Sequence, residues 1–301
     1  MASSSPLDVD RLLLLREVAL RGTIASAARS VGLTPSAVSQ QLSVLEREAG
    51  CALLDRSPRG VALTGAGHAL ADRAGAIVDV LASAQADLDR MAGSVSGPVA
   101  VAAVASAAAT LVSDGVLTLR AEQPGVEVSV LVAEPAAAVE LLLAGDADIA
   151  VVDEYDYVPL ALPDYLDVRE LRAEPLVAVA APGRLPRRPT LASLADADWV
   201  MPPEVAACGQ AVRSACRSEG FEPRVRWETD DLLLLVRAVA AGHGVSVLPR
   251  LAVFDEIADV EVRPLRAPAL HRRISAVTRS RAAARPVVQA ALNAFAAVRE
   301  D

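Results

Sequence analysis

Residues 23–50 read TIASAARSVGLTPSAVSQQLSVLEREAG, and the pattern divides them into two short helices around a tight turn. Gly32 ends the first helix with a residue free to take positive φ. Thr34 is a good N-cap, and Pro35 suits the first helical position, where its missing N–H costs nothing. From there Val38, Leu42, Leu45 and Ala49 recur at spacings of four, three and four, the stripe of a buried face. The opposite face carries Ser36, Ser39, Gln40, Ser43 and Arg47, polar and short-armed rather than densely charged. In the first helix Ile24, Ala27, Ala28 and Val31 form the matching stripe, and the alanines allow close approach. Such a pair is the pattern of a helix-turn-helix, whose second helix is expected to lie in the major groove of DNA.

The flanking residues extend this unit. Val9 to Leu20 has the pattern of a first helix that packs on the pair. After it, Leu53 to Thr64 reads as two short strands around a Pro/Gly turn, a wing that places Arg56 and Arg59 to reach phosphates or the minor groove. The candidate DNA-contacting residues are therefore Thr34, Pro35, Ser36, Ser39, Gln40, Ser43, Arg56 and Arg59. Thr64 then caps a long helix to about Met91, in which Leu70, Ala74, Ile77, Leu81, Ala84, Leu88 and Met91 alternate spacings of four and three. That heptad seam predicts pairing with a second copy of the same helix.

Composition narrows the class. At 301 residues the chain has room for two or three compact units. It is 53% hydrophobic but only 3% aromatic, so its cores are aliphatic. The net charge of −9 argues against nucleic-acid binding over the whole surface, and the charge is uneven. Residues 1–60 hold seven arginines against six acids, whereas residues 93–301 hold 20 arginines against 28 acids. There is no lysine, so every side-chain cation at a phosphate must be arginine. Three scattered cysteines, Cys51, Cys208 and Cys216, do not make a disulfide scaffold. The start of the chain lacks the basic-then-apolar pattern of a signal peptide, and the leucine runs are too short to span a bilayer. A soluble, cytoplasmic protein with no membrane partner is expected.

Gly93 to Pro98 reads as a hinge, after which strand and helix signals alternate. Strands are predicted at Val99–Ala105, Val126–Val132, Ala147–Val152, Leu176–Ala181, Trp199–Met201, Val225–Trp227, Val245–Leu248, Val260–Val262 and Ile274–Val277. Helices are predicted from Ser106, over Pro135–Ala144, and near 207–219, 230–241 and 283–299. The alternation implies a mostly parallel sheet with helices on both faces.

The run from Leu12 to about Met91 resembles the N-terminal region of LysR-type transcriptional regulators. The resemblance rests on Ala27-Ala28, the run Pro35 to Leu42, Leu45-Glu46, Gly50, Leu54, Arg56 and the run Leu63 to Gly67. Gln40, Pro35-Ser36 and Leu54 stand where the family often has Arg, Gln-Pro and Phe. Farther on, Ala147 to Val151 and Val239 to Pro249 resemble the family's effector domain. The resemblance implies an α/β fold with an N-terminal winged helix-turn-helix (1–64), a long linker helix for dimerisation (65–92), and a two-lobed, periplasmic-binding-protein-like effector domain (93–301). Lobe I would comprise about 98–172 and 268–301, and lobe II about 173–267, with crossings near Arg172-Ala173 and Ala267-Pro268. The function implied is ligand-responsive regulation. The expected partners are double-stranded promoter DNA, a small-molecule effector, and further copies of the chain in a homodimer or dimer of dimers.

In open α/β sheets ligands sit beyond the carboxyl ends of strands. Three such ends are candidates here: Ser106 and Ala107 at a helix start, Asp153-Glu154-Tyr155 after a strand, and Thr229-Asp230 before another helix. Cys208 is expected to line the same cleft and Cys216 to be core. Helix N–H groups on one side and acids on the other suggest a ligand with an amino group. A thiol-redox switch through Cys208 and Cys216 is a second reading, but eight helical residues span about 12 Å, beyond disulfide reach. A third is an enzyme or carrier of binding-protein fold. Against an enzyme, His68, His243 and His271 belong to no metal spacing or nucleophile motif, and no glycine-rich phosphate loop follows a strand. No cofactor is expected.

Overall fold

A computed structural model describes residues 7–57, 60–91, 95–253, 259–266 and 269–298. The chain divides into two compact units, one ending at Leu88 and one beginning at Asp89. In the first, α1 (Val9–Arg21), α2 (Ile24–Ser30) and α3 (Pro35–Ala49) precede β1 (Leu54–Ser57), β2 (Gly60–Leu63) and α4 (Gly65–Met91). Each of the first three helices starts on a side-chain cap: Asp8, Thr23 and Thr34 accept from the backbone N–H three residues on. Gly32 takes φ +68°, and Leu33 N–H returns to Ala28 O at 2.9 Å, closing α2 and turning the chain into α3. The buried core joins Leu15 and Val18 of α1, Ala27 and Ala28 of α2, and Val38, Leu42 and Leu45 of α3.

Two expectations for this unit need correction. Val31 is exposed rather than part of the α2 stripe, because it is the C-cap, where the chain already turns away from the core. In α4, Leu70, Ala74 and Ile77 pack against the core of this same unit. The first three members of the heptad seam are thus used to complete the head. The side chains of Leu81, Leu88 and Met91 lie outside the described residues, and Ala84 is exposed.

The second unit runs through β3 (Gly97–Ala103), α5 (Ala105–Ala107), a π-helical turn at Ala108–Val112, α6 (Ser113–Glu122), β4 (Val126–Val132), α7 (Pro135–Ala144) and β5 (Ile149–Tyr155). It continues with β6 (Leu166–Ala180), β7 (Asp198–Met201), α8 (Ala207–Ser218), β8 (Arg224–Glu228), α9 (Leu232–Ala240) and β9 (Ser246–Pro249). The last elements are β10 (Glu261–Pro264), β11 (His271–Arg279), α10 (Ser280–Ala283) and α11 (Pro286–Ala297). The main sheet has the order β10-β6-β11-β5-β3-β4, with β9 also on β6. Strand β6 serves two regions: Leu166 to Pro175 pairs with β11, and Leu176 to Ala180 pairs with β9 and β10. Helices α6 and α11 cover one core beside β3 and β5, and α8 and α9 pack on opposite faces near β6 and β9.

The sheet is mixed, not mostly parallel. Strand β3 runs parallel to β4 and β5, but β5–β11, β11–β6, β6–β9 and β6–β10 are antiparallel, while β7 and β8 pair parallel in a separate two-stranded sheet. The cause is that β6 and β11, the strands shared along the sheet, run against their neighbours. Strand β6 passes without a break through the first expected crossing, with a bulge opposite Ile274/Ser275. Residues 267–268, the second expected crossing, lie outside the described residues. The acids after Val152 are not a loop, since β5 continues to Tyr155 and pairs Asp153 with Ile274. The helix expected to open at Ser106 opens at Ala105, after a Val104 cap that makes no side-chain bond.

Candidate functional site

The outer face of α3 is built by its own caps and by ties to α1. Thr34 Oγ1 accepts from Ala37 N–H at 3.2 Å and lies 3.0 Å from Ser36 Oγ. Ser43 Oγ donates to Ser39 O at 3.0 Å, so its hydroxyl is partly spent on its own helix. Pro35, Ser36 and Gln40 are exposed. The Gln40 side chain makes no hydrogen bond among the described residues. Behind this face, Arg11 of α1 binds Glu48 at 2.7 and 3.2 Å and Gln41 Oε1 at 3.2 Å. Glu46 Oε1 accepts from the N–H groups of Leu53 and Leu54, at 3.0 and 3.1 Å, fixing the wing's first strand to the helix. These ties were not read from the sequence. Strand β1 places the backbone of Arg56; its side chain, and Arg59 altogether, lie outside the described residues.

The second unit holds a cavity of about 70 Å³. Its walls include Val104 to Ser106 and Glu134 on one side, Pro202, Cys208, Asp230 and Leu248 on the other, and Asp153, Tyr155 and Arg272. Arg272, on β11, is 1% exposed. Its Nη1 donates to Ser106 Oγ at 2.6 Å and to Asp153 Oδ2 at 3.2 Å, and its Nε donates to Glu174 Oε1 at 2.8 Å. Its Nη2 also donates to that Glu174 oxygen. The second Glu174 oxygen accepts from Leu251 N–H at 2.9 Å. Tyr155 Oη donates to Asp153 Oδ2 at 2.9 Å.

The electrostatics follow from burial and this excess of acid. Burial pushes the Asp153 carboxyl up, and the Arg272 guanidinium offsets only part of that rise. Partial burial and the carboxylates of Asp153 and Asp230 raise Glu134. Burial pushes the Cys208 thiol up to about 12, against the pull of Arg272. Cys216 is likewise pushed up to about 12 by burial. Burial alone would lower Arg272, but Tyr155, Glu174 and Asp153 more than reverse this.

Of the residues expected at an effector site, Ser106, Asp153, Tyr155, Cys208 and Asp230 line the cavity. Three do not. Ala107 packs into the core beneath α5. Glu154 alternates to the other face of β5, where it pairs with Arg273 at 2.7 Å. Thr229 Oγ1 accepts from Asp231 N–H at 3.1 Å, and Asp231 in turn caps α9. Arg272, Glu174 and Glu134 were missed. The signal for the first two was present: each is a charge on the inward parity of a strand, Arg272 with Ile274 and Glu174 with Leu176.

The wall that carries Pro202 is held from behind. Arg213 donates to Pro202 O at 2.7 Å and pairs with Glu228 at 2.6 Å. Gly209 leaves no space for a Cβ, which would meet the carbonyls of Pro202 and Pro203. Cys208 and Cys216 both lie on α8, the first at the cavity and the second in the core.

Comparison with known proteins places both units. Residues 9–68 match the bacterial regulatory helix-turn-helix of the lysR family, and residues 92–299 match the LysR substrate binding domain. The small neutral protease regulatory protein of Streptomyces coelicolor is 30% identical over 293 residues, covering 95% of this chain and 91% of that protein. Two solved structures share the fold. A full-length OxyR variant from Pseudomonas aeruginosa gives a TM-score of 0.74 at 21% identity, covering 98% of this chain and 96% of that one. CbnR in complex with its target DNA gives 0.57 at 20% identity, covering 96% and 98%. With an N-terminal helix-turn-helix and a substrate-binding domain that matches over nearly all its length, the chain belongs to the LysR family of transcriptional regulators.

Proposed function

We propose that this regulator reads promoter DNA through the outer face of α3, supported by Arg56 and Arg59 of the wing, and answers to a small molecule held in the cavity of its second unit. One observation carries the reading: the cavity walls come from both ends of the mixed sheet, so an occupant contacts the β3–β5 region and the α8–α9 region at once. A ligand that binds one arrangement of these regions better than another shifts the population toward it. Pro35, Ser36, Ser39, Gln40 and Ser43 supply the short polar surface that a groove-bound helix needs.

The working form in this reading is a homodimer or dimer of dimers in the cytoplasm. Its support is the unspent part of the heptad in α4 and a row of exposed apolar residues, Val130, Leu131 and Val132, on the edge strand β4. Among the described residues no helix is long and apolar enough to cross a membrane. A small-molecule response is favoured over a thiol switch because α8 is continuous from Ala207 to Ser218, holding Cys208 and Cys216 about 12 Å apart along the helix.

The test is anisotropy of labelled DNA from upstream of the gene, titrated with the full chain over a range of salt. Affinity should fall steeply with salt, and the specific duplex should keep an advantage over a random one. A metabolite panel should then change the footprint. A chain that binds neither duplex at low salt contradicts the reading.

A further inference from the structure

The head has few cations to spend on DNA. The chain contains no lysine, and residues 1–60 hold seven arginines. Arg11 is tied to Glu48 at 2.7 Å and Arg21 to Glu17 at 2.8 Å. Arg47 differs from these. Its guanidinium makes one long hydrogen bond, from Nε to Ser43 O at 3.4 Å, and no ion pair among the described residues. The acids beside it in sequence are engaged elsewhere: Glu46 Oε1 accepts from the N–H groups of Leu53 and Leu54, and Glu48 is held by Arg11. An exposed positive charge is therefore left at the C-terminal end of α3.

Its place on the helix is specific. Ser36, Gln40, Ser43 and Arg47 follow one another at spacings of four, three and four. On a helix of 3.6 residues per turn that keeps all four within an arc of about 60°. Val38, Leu42 and Leu45, buried in the core of the head, lie on the opposite side. The stripe from Ser36 to Arg47 is about 16.5 Å long, whereas the major groove is about 12 Å wide. A helix that lays this stripe across the groove carries its far end past the bases to the phosphates of the rim. A cation suits that place.

We propose that Arg47 is a phosphate contact that fixes how α3 lies in the groove: Ser36 and Gln40 face base edges, and Arg47 binds the backbone at the opposite rim. The proposal rests on α3 being the reading helix. Arg47 is a positioning residue in this arrangement, since a phosphate is the same at every base step and carries no sequence information. The single bond from Nε leaves both terminal nitrogens of the guanidinium to grip the phosphate oxygens. A cation in the last turn also suits the helix dipole, but that role is met on any face and adds nothing to DNA binding.

Anisotropy titrations of the full chain at several salt concentrations test this, on a duplex from upstream of the gene and on a random one. The variants are Arg47→Gln and Arg47→Lys. Arg21→Gln, whose guanidinium is paired with Glu17, controls for charge removed elsewhere on the head. Arg47→Gln should weaken binding to both duplexes and lower the slope of log Kd against log salt by about one. Across a fourfold rise in salt the wild type should thus lose about 3.5 times more affinity than this variant. Arg47→Lys should restore the slope, and Arg21→Gln should keep it. Far-ultraviolet circular dichroism equal to wild type shows that a variant keeps its helices. The proposal is overturned if Arg47→Gln has the wild-type slope, if it loses affinity on the upstream duplex alone, if Arg47→Lys fails to restore the slope, or if Arg21→Gln lowers it as much. The two readings fail separately. A wild type that binds neither duplex removes α3 as the reading helix and Arg47 with it. A wild type that prefers the upstream duplex, with Arg47→Gln on the same slope, leaves the reading helix standing and removes the role of Arg47.

Discussion

Arg272 donates through Nη1 to Ser106 Oγ at 2.6 Å, joining residues 166 positions apart in sequence. Ser106 is thereby occupied by the protein's own guanidinium. The same guanidinium holds Glu174, whose other oxygen takes the N–H of Leu251. One connected set of polar groups therefore runs from the start of α5, under the cavity, to the segment after β9.

That set makes Arg272 a costly side chain to remove from the second unit. Arg272→Met would leave Asp153 and Glu174 buried without their counter-charge. The expected loss is about 3–5 kcal/mol, the usual cost of breaking a buried ion pair from one side. Both tryptophans, Trp199 and Trp227, lie in this unit, so urea unfolding followed by their emission reports on it alone. A loss below about 1 kcal/mol, the range of a surface pair, would show the network to be unimportant to the fold.

Much of this was legible in advance, and the omissions share a cause. The caps at Thr34 and Thr64, the turn glycine Gly32 and the α3 stripe follow local rules, and the structure keeps all of them. The half of β6 from Leu166 to Pro175 was missed because its run of charges shows no alternation between faces. The site was half legible. Residues near strand ends could be named from sequence, but Arg272, Glu174 and Glu134 meet only through strand pairings between distant segments. Glu154 was included because an acidic run shows composition, whereas which acid faces inward depends on where the strand ends.

Glu134 gives a pH signature. Its carboxyl is raised by partial burial and by Asp153 and Asp230, with Arg272 the cation on the same wall. A raised carboxyl binds more protons in the folded state than in the unfolded one between the two pKa values. Stability contributed by this group therefore falls as pH rises through that window, and the charged form opposes folding above it. Glu134→Gln should melt above the wild type at neutral pH, and the advantage should vanish once the pH falls below the ordinary Glu range. A variant that melts lower at neutral pH would mean that Glu134 is engaged in a stabilising contact.

The thiols should divide by position. Cys208 and Cys216 are each pushed up to about 12, chiefly by burial, while Cys51 is exposed. At neutral pH iodoacetamide should modify Cys51 first and the other two slowly, since the thiolate is the reacting form. Mass spectrometry of timed samples resolves the three sites. Fast modification of Cys208 would revive a redox role for the cavity.

The linker helix should govern assembly. Its first heptad positions are consumed by the head, so the pairing surface expected from sequence narrows to the stretch that holds Leu81 and Leu88. Leu81→Asp with Leu88→Asp in the full chain would place unpaired charge in that seam and should shift sedimentation to the smaller species. A double variant that sediments as the wild type does would assign assembly to another surface.

The central claim, that α3 reads bases, is tested most directly by measuring Gln40→Ala against wild type on two duplexes: the upstream site found by footprinting, and a random sequence. Gln40 is exposed and unbonded, and glutamine pairs bidentately with adenine. The variant should lose roughly 1–3 kcal/mol on the specific duplex and almost nothing on the random one. Arg56→Ala, as a phosphate contact, should weaken both alike and flatten the salt dependence. Equal losses by Gln40→Ala on both duplexes, or none on either, would contradict the placement of α3 as the reading helix with Gln40 at the bases.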